Sequence, residues 1–128
     1  MPANIVVIDD NRDCAAVIVE MLSRMGHHAE ELRSGPKLLD ELASRHARGR
    51  IDLLITDLFM PEPDGFEIIR FARLGLVGVP IIGMGAGHQG LLELMVPIGA
   101  TDVIEKPIDP IRLRETVERA LEYSVQCV

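Results

Sequence analysis

Aromatic side chains are almost missing from this sequence: 3% of 128 residues, with three Phe, one Tyr and no Trp. Its core must therefore be built from Ile, Leu, Val, Met and Ala. Positive charge is also scarce, 13 Lys and Arg against 20 Asp and Glu, for a net charge of −7. That balance argues against a general nucleic-acid binder, which needs a basic face for phosphates, and against a basic membrane-surface helix. Cysteine occurs only as Cys14 and Cys127, at opposite ends, with no metal-ligand spacing and no framework of bridges. Two free thiols fit a reducing compartment. No secretory leader is expected either, because Met1 to Asn4 run straight into Ile5-Val6-Val7-Ile8 and then Asp9-Asp10. The stretch from Leu74 to Leu92 has no charged residue, but six glycines and Pro80 make it a buried strand with a loop rather than a spanning helix. The expectation is a soluble, cytoplasmic protein with no membrane and no direct nucleic-acid partner.

What is present is a patterned apolar chain. At 48% hydrophobic it is too apolar to remain disordered, and its length supports one domain over residues 1–128. Ile5 to Ile8 reads as a strand buried on both faces. Asn11 or Asp13 then caps a helix carrying Ile18, Leu22 and Met25, stopped by Gly26. His28 to Leu32 is a mostly polar strand, placed near an edge. Ser34-Gly35-Pro36 is predicted to open a second helix, with Leu38, Leu39, Leu42 and Ala43 facing inward and an end near Gly49. Leu53 to Thr56 forms a buried strand ending on Asp57, and Asp64-Gly65 starts a helix through Phe66, Ile69 and Ala72. Val79 to Met84 is the fourth strand, followed by a glycine-rich loop and a short helix from about Leu91 that Pro97 must end or kink. Val103-Ile104 is the fifth strand. Asp109-Pro110 opens a last helix carrying Ile111, Val117, Ala120 and Leu121. Five strand–helix pairs imply an α/β fold, a doubly wound five-stranded parallel sheet with helices on both faces.

In such a sheet, ligands bind at the carboxyl ends of the strands. The first strand delivers Asp9-Asp10 there, the third Asp57, and the fifth Glu105-Lys106-Pro107. A single Asp after a strand is most often a helix cap. Three carboxylates from two strands are different, because like charges raise one another's pKa unless a cation neutralises them. Hard oxygen ligands with spare coordination positions suit Mg²⁺, which binds through one or two carboxylates plus a substrate phosphate. Lys106 is then the compact point charge for the anion.

The runs V-V-I-D-D-N, I-T-D-L-F-M-P-E-P-D-G and I-G-A-T-D-V-I-E-K-P, in this order, resemble the receiver domain of bacterial two-component response regulators, the CheY-like, flavodoxin-like type. The resemblance covers essentially the whole chain, as a stand-alone receiver or one excised from a longer protein. It implies that Asp57 accepts a phosphoryl group from a phosphohistidine on a histidine kinase or histidine phosphotransfer protein. It implies Mg²⁺ bound by Asp10, Asp57 and the backbone carbonyl of Phe59, with Asp9 assisting through water. Lys106 contacts the phosphoryl oxygens and Pro107, often cis in the family, shapes its loop. Such a domain is a phosphoacceptor that catalyses only its own phosphorylation and dephosphorylation, and is no enzyme otherwise. Its output is protein contact through the fourth helix, fifth strand and fifth helix.

Two positions depart from the pattern. The family's Ser or Thr at the end of the fourth strand is Gly85 here, and its Tyr or Phe in the fifth strand is Val103. The hydroxyl-to-aromatic coupling is therefore lost. An alternative follows: an adaptor that keeps the fold and works without phosphorylation, a pseudo-receiver. Gly85-Ala86-Gly87-His88-Gln89-Gly90 also spells a dinucleotide-binding G-x-G-x-x-G, but it sits in the fourth strand unit, with too little sequence after it for the usual second half of such a site, so no such cofactor is expected. Met21, Met25, Met84 and Met95 read as core fillers.

Overall fold

The computed structural model describes residues 2–86, 90 and 92–126, with side chains described as far as Glu122. Cys127 and positions 87–89 of the glycine run lie outside the described residues. Five strands alternate with five helices: β1 (Asn4–Ile8), α1 (Arg12–Arg24), β2 (His28–Leu32), α2 (Leu38–Ala47), β3 (Leu53–Asp57), α3 (Gly65–Gly75), β4 (Ile81–Ala86), α4 (Met95–Ile98), β5 (Asp102–Lys106) and α5 (Pro110–Gln126). The strands form one sheet in the order β2-β1-β3-β4-β5, every pair parallel. The polar strand β2 is an edge, as its composition predicts.

Alternation along β1 divides the core into two layers. Ile5 and Val7 pack with Ile18 and Leu22 of α1 and with Leu113 and Val117 of α5. Val6 and Ile8 face the other way, against Leu42 of α2, Ile68 and Ile69 of α3, and Met95 of α4. Strands covered on both sides must be apolar throughout, which is why β1 and β3 read as continuous runs. Met84 and Met95 are fully buried, as core fillers should be.

Helix starts follow local chemistry in three cases. Asn11, rather than Asp13, caps α1 by accepting the Cys14 N–H at 3.1 Å. Asp64 and Glu67 form a reciprocal capping box at α3. Asp109 accepts the Arg112 N–H at 3.1 Å at the head of α5.

Elsewhere the elements differ from expectation. The second helix begins at Leu38, not at Ser34-Gly35-Pro36, and has no side-chain cap. The Ser34 hydroxyl is engaged instead across the molecule, on the carbonyls of Pro61 and Pro63. Strand β4 is shifted to Ile81–Ala86, because its pairing with β3 starts at Ile81 and with β5 runs on to Ala86 opposite Lys106. Pro97 is the third of four residues in α4, in a first turn where the missing N–H has no helical partner to lose, and the helix ends one residue beyond it at Ile98. Position 91, the expected start of that helix, lies outside the described residues. Ala43 and Ile111 are exposed rather than inward, and Leu113 takes the buried place at the start of α5.

The chain leaves β1 toward β2 and then returns to the other side of it as β3. The reversal opens a crevice above the carboxyl ends of β1 and β3. Asp9, Asp10 and Asp57 emerge there.

Candidate functional site

Three carboxylates and one ammonium meet at this crevice. Asp9 and Asp57 are buried, at 2% and 7% exposure, whereas Asp10 is exposed. An oxygen from each of Asp9, Asp10 and Asp57 lies within 4.8 Å of the others. Lys106 reaches in from the end of β5, its Nζ 2.8 Å from Asp9 Oδ2 and 3.4 Å from Asp57 Oδ2. Lys106-Pro107 is a cis peptide, as is Glu62-Pro63. The carboxylates are aimed by backbone groups. The Asn11 N–H donates to Asp9 Oδ1 at 3.0 Å, and the Leu58 N–H donates to Asp57 Oδ1 at 3.0 Å.

Burial and pairing act in opposite directions on these groups. Burial pushes the Asp9 carboxyl up, but donation from Lys106 and the Asn11 N–H outweighs it and holds Asp9 below the usual carboxylate range. Asp57 is pushed above that range by burial and by the Asp9 charge, against the pull of Lys106. Lys106 is held above its ordinary value, because the hydrogen bond to Asp9 and the charges of Asp57 and Asp9 exceed the cost of its burial. The ion pair thus belongs first to Asp9, and Asp57 is the carboxylate least compensated by the protein. Oxygen donors so placed, one of them open to solvent, are the ligand chemistry of a divalent hard cation.

The loop after β3 is shaped by the absence of a side chain at Gly65. A Cβ there would overlap the Asp57 carbonyl oxygen and lie 2.7 Å from Leu58 Cα. Gly65 can therefore donate its N–H to the Leu58 carbonyl at 3.0 Å and fold α3 back under the site. Phe59 follows Leu58 and is 47% exposed.

The response regulator receiver domain profile matches residues 5–118. The chain belongs to the response regulator receiver family. Among curated relatives, Rrf1 of Nitratidesulfovibrio vulgaris is 32% identical over 123 residues, covering 94% of this chain and 84% of Rrf1. NtrX of Azorhizobium caulinodans is 31% identical over 95% of this receiver, which spans only 27% of that protein. Among solved structures, NtrX from Brucella abortus superposes with a TM-score of 0.85 at 26% identity, over 98% of this chain and 28% of that one. CheY4 of Vibrio cholerae, at 23% identity and a TM-score of 0.80, shares the fold over 94% of this chain and all of its own.

The two departures from the family pattern have different surroundings. Gly85 faces Leu92 and Leu58, and a Cβ built on it would sit 3.5 Å and 3.7 Å from their nearest atoms, ordinary contact distances. Packing does not demand glycine there. Val103 is half-buried against the layer formed by α2, α3 and α4. Two features of the receiver escape sequence reading. Cys14 lies beside Asp9, which together with burial pushes its thiol up, burial being the larger effect. Ser34 holds the loop after β3 through the carbonyls of Pro61 and Pro63, and the clue was those two prolines, each of which removes one N–H donor from the loop.

No helix is long and apolar enough to cross a membrane among the described residues.

Proposed function

We propose that this receiver, one domain over residues 1–128 acting in the cytoplasm, takes a phosphoryl group onto Asp57 from a phosphohistidine of a histidine kinase or histidine phosphotransfer protein. The observation that carries the reading is the convergence of Asp9, Asp10 and Asp57 within 4.8 Å, with Lys106 3.4 Å from Asp57. An Asp57 carboxylate oxygen forms the new O–P bond while the N–P bond to the donor imidazole breaks, and the electron pair leaves on nitrogen. Asp10, Asp57 and the carbonyl of Phe59 are the groups to hold Mg²⁺, with Asp9 assisting through water. When bound, that ion supplies charge neutralisation for the phosphoryl oxygens. Lys106, already anchored on Asp9, presents the fixed cation on the opposite side, so little reorganisation is needed at transfer. Asp57 suits the nucleophile's role because the protein neutralises it least.

Output through α4, β5 and α5 is supported by exposed apolar side chains at α4: Leu94 at its N-cap and Val96 within it, at 51% and 45% exposure. With a net charge of −7, a protein partner fits that surface better than a nucleic acid.

Mass spectrometry after incubation with acetyl phosphate and Mg²⁺ tests the site. One phosphoryl group is expected on the wild type and none on Asp57→Ala. Labelling of that variant would overturn the assignment, and an unlabelled, folded wild type would favour the pseudo-receiver.

A further inference from the structure

Away from the carboxylate cluster, near the rim where β1 and β2 begin, α2 ends in a run of positive charge. Arg45, Arg48 and Arg50 fall within one short stretch, in a chain whose net charge is −7. Cations commonly gather at a helix C-terminus to meet its free carbonyls. Here those carbonyls are already taken. The Arg48 N–H donates to the Ser44 and Arg45 oxygens at 3.2 Å, the Gly49 N–H to the His46 oxygen at 3.0 Å, and the Arg50 N–H to the Arg45 oxygen at 2.9 Å. Capping therefore makes no demand on the three guanidinium groups.

The three divide into two kinds. Arg45 is a fixed wall: Nη1 and Nη2 donate to Glu30 of β2 at 2.7 Å and 2.8 Å, and Nη2 lies 3.5 Å from Glu41. Arg48 and Arg50 are exposed, and among the described residues neither guanidinium has an ion pair or hydrogen bond. All three line a cavity of about 620 Å³ between α2 and the edge of the sheet, together with Ser44, Glu30 and Glu41. The Arg and Glu side chains around it leave a surplus of one positive charge, although the protein as a whole is acidic. A guanidinium offers a planar fork of donors that matches phosphate oxygens, and two such forks match a dianion. The volume is too large for a bare ion and falls in the range of small-molecule sites.

We propose that this cavity binds a small phosphate monoester, its dianion held by Arg48 and Arg50 and its organic part lying against Ser44 and the Arg45–Glu30 wall. Glu41 has only the longer contact with Arg45, so its carboxylate works against the anion and disfavours a polyphosphate. The ligand joins α2 to the edge strand β2. Because Asp9 and Asp57 stand at the far ends of their strands, the site is independent of the phosphoacceptor reading.

The test is an NMR titration of the full chain with glucose 6-phosphate at pH about 8, where the monoester is a dianion. EDTA keeps metal out of the carboxylate cluster. Saturable amide shifts are expected at residues 28–30 and 44–50. Arg48→Gln combined with Arg50→Gln should weaken binding at least about tenfold, the loss of two charge-assisted contacts, with the rest of the spectrum unchanged. Glu41→Gln should tighten it. Inorganic phosphate should bind more weakly than glucose 6-phosphate, and glucose not at all. The proposal is overturned by the absence of saturable shifts at these residues, by shifts centred on Asp9 and Asp57 instead, or by unchanged affinity in the double variant. Equal affinity for inorganic phosphate would reduce the cavity to an adventitious ion only, and equal affinity for succinate would remove its preference for phosphate; either result also overturns it.

Discussion

The corner formed by β1, β3 and β5 and the strip formed by β4 and α4 border the same crevice, yet they are held by different forces. In the first, positions are set by charge: Asp9, Asp57 and Lys106 are buried or half-buried and satisfy one another at 2.8–3.4 Å. In the second, positions are set by volume: Gly83 receives Met95, and Gly85 faces Leu92. A Cβ on Gly83 would lie 2.5 Å from Met95 Sδ, whereas one on Gly85 would meet nothing closer than 3.5 Å. Charge networks resist single changes, because removing one member leaves another buried and unpaired. Packed strips yield to size alone. The residues that match the family's motif, Asp9, Asp10, Asp57 and Lys106, stand in the corner, and Gly85, one of the two departures from the pattern, stands in the strip.

The largest expected effect tests the corner. Lys106→Ala should cost about 2–3 kcal/mol in urea unfolding without Mg²⁺, since it strands two carboxylates. Adding Asp9→Asn should return part of that loss. Simple additivity of the two changes would show that the corner is not a charge network.

Next in size is Gly83→Ala, which must displace Met95 and should cost about 1–2 kcal/mol. The loss should shrink when Met95→Ala is present, whereas a loss indifferent to residue 95 would mean that volume does not govern the strip. Smaller again is Gly85→Ser. With space available and glycine's backbone entropy removed, stability should stay within about 0.5 kcal/mol of wild type. The restored hydroxyl should speed acetyl phosphate labelling. Destabilisation equal to that of Gly83→Ala would erase the distinction between the two glycines.

The smallest effect lies away from both regions and supplies their baseline. The Ala3 N–H donates to His27 Nδ1 at 3.0 Å, and burial, the main cause, holds this imidazole below its ordinary value of 6.5. Protonation removes the acceptor. The unfolded chain therefore takes up a proton first as pH falls, so stability is full above pH 6.5 and declines below it through the folded-state value. His27→Asn should flatten that slope in chemical denaturation between neutral and mildly acidic pH. A slope unchanged by the substitution would assign the acid sensitivity elsewhere.

The sequence by itself determined much of this protein. Apolar runs of strand length, caps at Asn11, Asp64 and Asp109, and the alternation of units were legible because each depends on residues within one turn or one strand. Asp9, Asp10, Asp57 and Lys106 were legible as well, since a parallel sheet sends every strand end to one rim. Tertiary structure decided what depends on contacts between distant segments. It paired Lys106 with Asp9 ahead of Asp57, took Ser34 from the head of α2 to the loop after β3, and shifted β4 to match its neighbours. It left Ile111 exposed and made Gly83, but not Gly85, a steric necessity. Hydrogen-bond donors and free volume are shared across the whole fold, so their allocation cannot be read from any single stretch of chain.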